Sequence, residues 1–325
     1  MAMLVTGATG LLGNNIVRLL LARGEKVRVL VRNSYDRRTL DGLDVEIIEG
    51  DIRDTAKVQL ACQGMQVIIH AAGWVQIGRT GMSEARAVNI EGSANVATSA
   101  RQVGARMIHV SSMSAMGIGS SKNPANEQSP RAGQVPCPYT LTKREGEEVV
   151  QQKIIEGLDA VIINPGFMLG PWDWKPSSGK MVLDVAEKFT PLAPRGGCSV
   201  CDVRDVASGI LAAVEKGHTG KNYLLTGHNM PYIELWNLIA ETTETRKPNW
   251  RLTRPGMYCV GMATDLISKL RGRELSINSV ALRVTSQYHY YSCERARSEL
   301  GYQVRPASHS VCDAWQWFGE HGYVG

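Results

Sequence analysis

A chain of 325 residues is long enough for two lobes, because a single core stops growing near ~250–300 residues. Hydrophobic residues at 43% and charged residues at 21% describe an ordinary soluble globular protein, and no stretch approaches the ~20 apolar residues of a membrane span. The net charge of +5 suits an anionic ligand, but Lys and Arg read as scattered and no dense basic run marks a nucleic-acid surface.

Met1 to Met3 run straight into an apolar strand-like stretch with no charged or apolar leader ahead of it, so a cytoplasmic address is expected. Val/Ile-rich runs at 3–6, 27–31, 45–48, 67–70, 107–110 and 160–163 read as buried strands. Near-continuous apolar strands imply a parallel sheet covered on both faces. Between the first two, Leu11, Leu12, Ile16, Val17, Leu19 and Leu20 keep a helical stripe, and Gly24 stands where a left-handed cap is wanted. Helices are also expected at 87–100, 139–155 and 203–215, with a strand at 223–226, so the fold class is a doubly wound α/β sheet. Residues 166–197, rich in Pro, Gly and Trp, break this rhythm. The expected division is a dinucleotide-binding domain of 1–165 plus 198–228 and a smaller, discontinuous substrate lobe of 166–197 plus 229–325. The seven cysteines are odd in number and offer only one C-x-x-C, Cys198 to Cys201, so no metal is assigned.

The run Thr6 to Gly13, TGATGLLG, follows the first strand and opens the first helix. Gly7, Gly10 and Gly13 permit a tight turn that brings backbone N–H groups against a pyrophosphate, and the helix N-terminus adds its partial positive charge. In NAD-selective enzymes a carboxylate ends the second strand and binds the ribose 2′-hydroxyl. Here that place holds Arg32, whose guanidinium suits a 2′-phosphate, so NADP(H) is the expected cofactor. Arg37 and Arg38 follow closely, but the weight falls on Arg32. Asp51, after the third strand, is read as an acceptor for an adenine amino group or as a helix N-cap. His70 is read as a packing residue at a strand end, followed by Ala71, Ala72 and Gly73, small enough for a ribose to lie against backbone. Thr9, Leu11, Leu12, Ile52, Pro165, Gly166 and Phe167 complete the expected cofactor contacts.

Tyr139 and Lys143 stand at i,i+4, so both side chains leave one helix face. A phenol is a poor base at neutral pH unless its charged form is stabilised, and the Lys143 ammonium is expected to do this and to hold the nicotinamide ribose. Ser112, at the end of the fifth strand, is the candidate that hydrogen-bonds a substrate oxygen. Its neighbour Ser111 should point to the other face and be satisfied by backbone. Asn89 is read as the holder of a proton-relay water beside Lys143, or as a helix-bending polar residue.

With TGATGLLG, GDIRD, HAAG, VNIEGSANV, VSSMSAMG, PYTLTK, NPGFMLGP and CDVRDVA in place, the chain resembles the extended short-chain dehydrogenase/reductase family. The resemblance implies a Rossmann-like domain and hydride transfer at nicotinamide C4, with Ser112, Tyr139, Lys143 and Asn89 as the catalytic set. It also implies a possible homodimer through the helices carrying Asn89 and Tyr139. Sugar-nucleotide members of the family carry an arginine near the substrate diphosphate that the run from Arg195 to Asp205 does not match. The pattern stands closer to dihydroflavonol and 3β-hydroxysteroid reductases, and Trp74, Phe167, Trp172 and Trp174 are expected to line a cleft for a bulky apolar ketone or alcohol, or else to pack the lobes. Nucleotide-sugar epimerase and non-catalytic NADP-binding regulator are the alternatives.

Overall fold

The computed structural model describes residues 1–187, 191–275 and 277–324. Strand and helix alternate through β1 (Ala2–Thr6), α1 (Leu11–Ala22), β2 (Lys26–Val31), β3 (Glu46–Glu49), α2 (Thr55–Cys62), β4 (Val67–His70), α3 (Met82–Arg86), α4 (Ser93–Val103), β5 (Arg106–Val110), α5 (Pro138–Ile155) and β6 (Ala160–Pro165). Next come β7 (Phe167–Leu169), α6 (Lys180–Glu187), β8 (Leu192–Ala193), β9 (Gly197–Asp202), α7 (Val203–Lys216) and β10 (Asn222–Leu225). The chain ends with β11 (His228–Pro231), α8 (Tyr232–Thr242), β12 (Trp250–Arg251), α9 (Arg254–Arg271), α10 (Ser279–Thr285), β13 (Tyr288–His289), α11 (Glu294–Leu300) and α12 (Ala307–Glu320).

Seven strands form one parallel sheet in the order β3, β2, β1, β4, β5, β6, β10. The pleat divides the apolar residues between two cores. Met3, Val5, Ile69, Ile108, Val161 and Ile163 face α1 and α7, while Leu4, Ile68, Met107 and Ile162 face α2, α4 and α5. Strand order reverses between β1 and β4, and there the C-terminal ends of neighbouring strands leave a crevice.

The third strand lies one residue later than expected, and it is not buried: Glu46, Ile47 and Glu49 are exposed. It forms the sheet edge, where one flank has no neighbour and charged residues are favoured. Gly24 takes the left-handed conformation expected of it, with φ +72°. The helix expected over 87–100 is continuous but changes pitch, for Ala87–Gly92 is π-helical between α3 and α4.

A second sheet joins β7, β9, β11 and β13. Residues 198–202, grouped from sequence with the large sheet, pair here, whereas α7 immediately after them packs on α1 over the large sheet. Cys198 and Cys201 are buried in β9, and burial pushes the Cys198 thiol up to about 12.

Candidate functional site

All seven large-sheet strands run in parallel, so their C-terminal residues share one edge: Thr6 aligns with Leu30 and His70, His70 with His109, and Val110 with Ile163. The β1–α1 turn sits on that edge. Gly7 has φ +74°, and a Cβ on it would lie 2.5 Å from the Ala72 nitrogen and 2.6 Å from the Ala71 carbonyl carbon. A Cβ on Gly13 would fall inside the Gly7 carbonyl oxygen, whereas one on Gly10 would meet only that oxygen, at 3.5 Å. Gly10 caps α1 without a side chain, and no acidic residue enters the first turn. Leu11 and Leu12 turn their side chains into the core, and their backbone N–H groups stand at a helix N-terminus with no side-chain cap, while the Gly10 nitrogen donates to the Gly7 carbonyl at 3.0 Å.

Arg32 follows β2 and is exposed; among the described residues its guanidinium makes no hydrogen bond or salt bridge, and its charge reaches Asp51. Arg38 is committed elsewhere, forked onto Asp36 with Nη2 2.6 Å from Oδ2. Asp51 is not the helix cap, since Asp54 performs that task by accepting from the Ala56 and Lys57 nitrogens. The Asp51 carboxylate instead grips Arg53 at 2.9 and 2.8 Å, which holds it below its ordinary pKa. Ile52 is buried against Gly92.

Tyr139 lies in the first turn of α5, where Pro138 presets the helix and Cys137 precedes it in extended conformation. The half-buried phenol packs on a cluster of Val135, Cys137 and Val280, against which Val284 also packs. Burial raises its pKa, and the neighbouring Ser112 hydroxyl offsets this only in part. Ser112 also accepts from the Ser114 nitrogen at 3.1 Å. Lys143 is buried one turn further on and donates to the Val110 carbonyl at 3.1 Å, not to the phenol. Burial brings its pKa down to about 8, with Glu147 opposing. The phenol is therefore raised in this structure, not lowered as the i,i+4 spacing suggested. Ser111 also departs from expectation: it is buried, but its hydroxyl has no partner among the described residues.

Asn89 sits in the π-helical segment with its amide fully used: Oδ1 accepts from Trp74 N at 2.8 Å, and Nδ2 donates to Trp74 O at 3.0 Å and to Thr142 Oγ1 at 2.9 Å. It therefore braces the segment after Gly73, and a Cβ on Gly73 would stand 3.0 Å from Lys143 Nζ. Gly146 lets α5 approach closely, since a Cβ there would meet the Asn89 carbonyl oxygen at 2.5 Å. His70 is saturated by Thr6 at 2.7 Å and Ser93 at 3.1 Å, and burial takes its pKa down to about 3, which leaves it no acid–base role near neutrality.

At the far side, Pro165 ends β6 and Gly166 passes where a Cβ would stand 2.6 Å from the Ser199 oxygen. Phe167, Trp172 and Trp174 pack on the smaller lobe's core. Trp174 meets Trp317 edge-on at 5.1 Å, and Arg18 lies 3.3 Å over Trp172. The packing reading holds for Trp172 and Trp174, while Trp74 stays beside Asn89.

Sequence reasoning missed Glu147, which continues the Tyr139 and Lys143 stripe by one more turn. It is fully buried, paired with Arg131, and bound by Asn164 and Asn222. The i,i+4,i+8 spacing was the available signal. Thr142 and His109 gave none, because each is placed by contacts from other elements.

The model of the NAD dependent epimerase/dehydratase family matches residues 3–225. Among curated proteins, sterol demethylase protein B of Methylococcus capsulatus is 33% identical with 100% of both chains covered. A putative dihydroflavonol 4-reductase of Synechocystis is 31% identical, covering 98% of this chain and 95% of that one. Among solved structures, gox2253 superposes with a TM-score of 0.88 at 32% identity, covering 100% and 99%. A dTDP-glucose 4,6-dehydratase of Streptomyces venezuelae, solved with NAD and TYD, shares the fold at TM-score 0.80 and 22% identity, covering 99% and 98%.

Proposed function

The chain belongs to the NAD-dependent epimerase/dehydratase family of extended short-chain dehydrogenases/reductases, and from that premise we propose that it is a cytoplasmic, NADP(H)-dependent reductase or dehydrogenase. Its substrate is a bulky, largely apolar ketone or secondary alcohol. The observation that carries this reading is the convergence of Ser112, Tyr139 and Lys143 on the strand edge that also bears the glycine turn. The dinucleotide fits that turn: Gly7 admits close backbone approach, the α1 N-terminus offers unpaired donors to a pyrophosphate, and Arg32 keeps a cation uncommitted for a 2′-phosphate. Thr9, Gly10, Leu11, Leu12, Asp51, Ile52, Ala71, Ala72, Gly73, Pro165, Gly166 and Phe167 are the further contacts proposed for it.

When bound, the nicotinamide gives or accepts the hydride at the substrate carbon. Tyr139 moves the hydroxyl proton; burial keeps its phenol protonated through neutral pH, the state required to donate to a carbonyl oxygen. Ser112 hydrogen-bonds that oxygen and orients it toward the phenol. Lys143 supplies a nearby positive charge that favours the phenolate left behind, and Asn89 fixes the segment in front of it. The apolar cluster of Val135 and Val280 on which Tyr139 packs supports an apolar substrate, as do relatives named for sterol and dihydroflavonol chemistry. The smaller lobe is assigned to substrate and the larger to cofactor.

Cofactor absorbance tests the branch. A reductase consumes one NADPH per product, whereas an epimerase regenerates its cofactor in each cycle. Purified protein is expected to oxidise NADPH stoichiometrically with a hydrophobic ketone. Interconversion of a nucleotide sugar without net cofactor change, and no turnover of any apolar ketone, overturns the proposal.

A further inference from the structure

Helix α9 reverses the polarity of an ordinary surface helix. Its inner face, packed on α10, buries only Met257 and Gly261 and otherwise carries Thr264, Asp265 and Ser268. At 100° per residue the opposite half presents Tyr258, Val260, Met262, Leu266, Ile267 and Leu270 to solvent. The exposures are those of side chains with no cover: Tyr258 69%, Met262 55%, Leu266 60% and Leu270 80%. Soluble surfaces do not normally leave an apolar face of this length open.

The charge around this face decides what covers it. Residues 246–283 hold eight Lys and Arg against two acids, a surplus of six where the whole chain has five, so the rest of the molecule is close to neutral. The cations that read as scattered in sequence are thus concentrated here. Arg254 opens the helix and Lys269, Arg271 and Arg273 close it, all exposed. Both acids are engaged on the inner side: Asp265 accepts from Ser279 N at 3.0 Å, and Glu274 from Arg79 N at 2.7 Å. A second copy laid on this face sets cations against cations at both helix ends, whichever way it runs. An anionic surface is complementary. No helix among the described residues is long and apolar enough to cross a membrane.

We propose that α9 docks the protein on an anionic phospholipid bilayer, with its apolar face at the acyl boundary and its terminal cations among the headgroups. Ser279 and Leu282 of α10 meet Gly261 of this helix, while Val280 belongs to the apolar cluster against which Tyr139 packs, so the docked face stands one helix away from the phenol. The attachment goes beyond the functional reading and stands or falls separately from it.

The test is sedimentation with vesicles of phosphatidylcholine mixed with phosphatidylglycerol, compared with phosphatidylcholine alone. Wild type is expected to pellet with the mixed vesicles and less with the neutral ones. A cation at an anionic surface is worth about fivefold in partitioning, so Lys269→Glu with Arg271→Glu should weaken binding at least about 25-fold. Leu266→Glu with Leu270→Glu should abolish it while leaving NADPH binding and Tm unchanged, which separates this test from the cofactor assay. A polarity-sensitive fluorophore on Cys259, placed in a Cys312→Ser background because both thiols are exposed, should shift to the blue with mixed vesicles. Wild type that stays in the supernatant, or a double leucine variant that binds equally well, overturns the proposal. So does a dimer in sedimentation equilibrium that the leucine variant dissolves without any vesicle binding.

Discussion

Arg32 and Arg38 stand six residues apart after the same strand and meet opposite fates. Asp36 neutralises Arg38, while Arg32 keeps its fork exposed beside the crevice. Arg32→Asp should therefore lower NADPH affinity by ~10–100-fold, the worth of a charge-assisted contact, and leave NADH affinity unchanged or higher. Isothermal titration with both cofactors checks this, and equal affinities in the wild type would remove the assignment. Tyr139→Phe should reduce kcat by ~10²–10⁴-fold with cofactor affinity intact, because the phenol moves a proton and does not hold the nucleotide. The Lys143 ammonium is lost as pH rises through about 8, so kcat/KM for reduction should fall on an alkaline limb near that value. Glu147 raises the Lys143 pKa, so Glu147→Gln should move the limb to lower pH; a limb that stays in place would exclude Lys143 as its source. The spacing of Tyr139 and Lys143 made this pair legible in sequence. The direction of the phenol's pKa was not, because it follows from burial in a cluster that includes Val280, some 140 residues downstream.

At the scale of elements, the parallel strands were legible because burial on both faces makes each a continuous apolar run. The edge strand was read as buried because Val45, Ile47 and Ile48 look alike whether covered or not, and only the neighbouring strand reveals the open flank. The π-helical turn at Ala87–Gly92 had no sequence signal, and the residues that hold Asn89 within it, Trp74 and Thr142, come from other elements. The glycines of the first turn looked equivalent, yet the structure separates them. Gly13→Ala drives a methyl into the Gly7 carbonyl oxygen, and such overpacking costs ~1–3 kcal/mol, visible as a lower Tm. Gly10→Ala meets only that oxygen, at 3.5 Å, so its Tm should hold while its methyl intrudes on the proposed phosphate cradle. A Gly10→Ala protein that binds NADPH as tightly as wild type would show that the cradle lies elsewhere.

At the scale of the molecule, two cores must be held in one geometry, the first gathering α1 and α7 and the second gathering α8 and α12. A charged cluster spans them. Arg204 on α7 bridges Asp202 and Asp313, and Arg305, just before α12, holds buried Asp205 through its backbone nitrogen at 2.8 Å and its guanidinium at 2.8 Å. Asp202, Arg204 and Asp205 were visible in sequence within CDVRDVA, but Asp313 and Arg305, which complete the cluster, lie about a hundred residues away and no local pattern points to them. Removing one member of a buried pair costs more than removing both, because the survivor keeps its desolvation penalty without its partner. Arg305 is about one-third exposed, which screens the loss, so Arg305→Ala should cost ~1–3 kcal/mol. Asp205→Ala alone should cost a comparable amount, and the double variant less than the two together, leaving a coupling of ~0.5–3 kcal/mol. Denaturant unfolding of the four proteins gives that coupling directly. If the single costs simply add, the pair contributes nothing as a pair, and the geometry between the cores must rest on the apolar contacts alone.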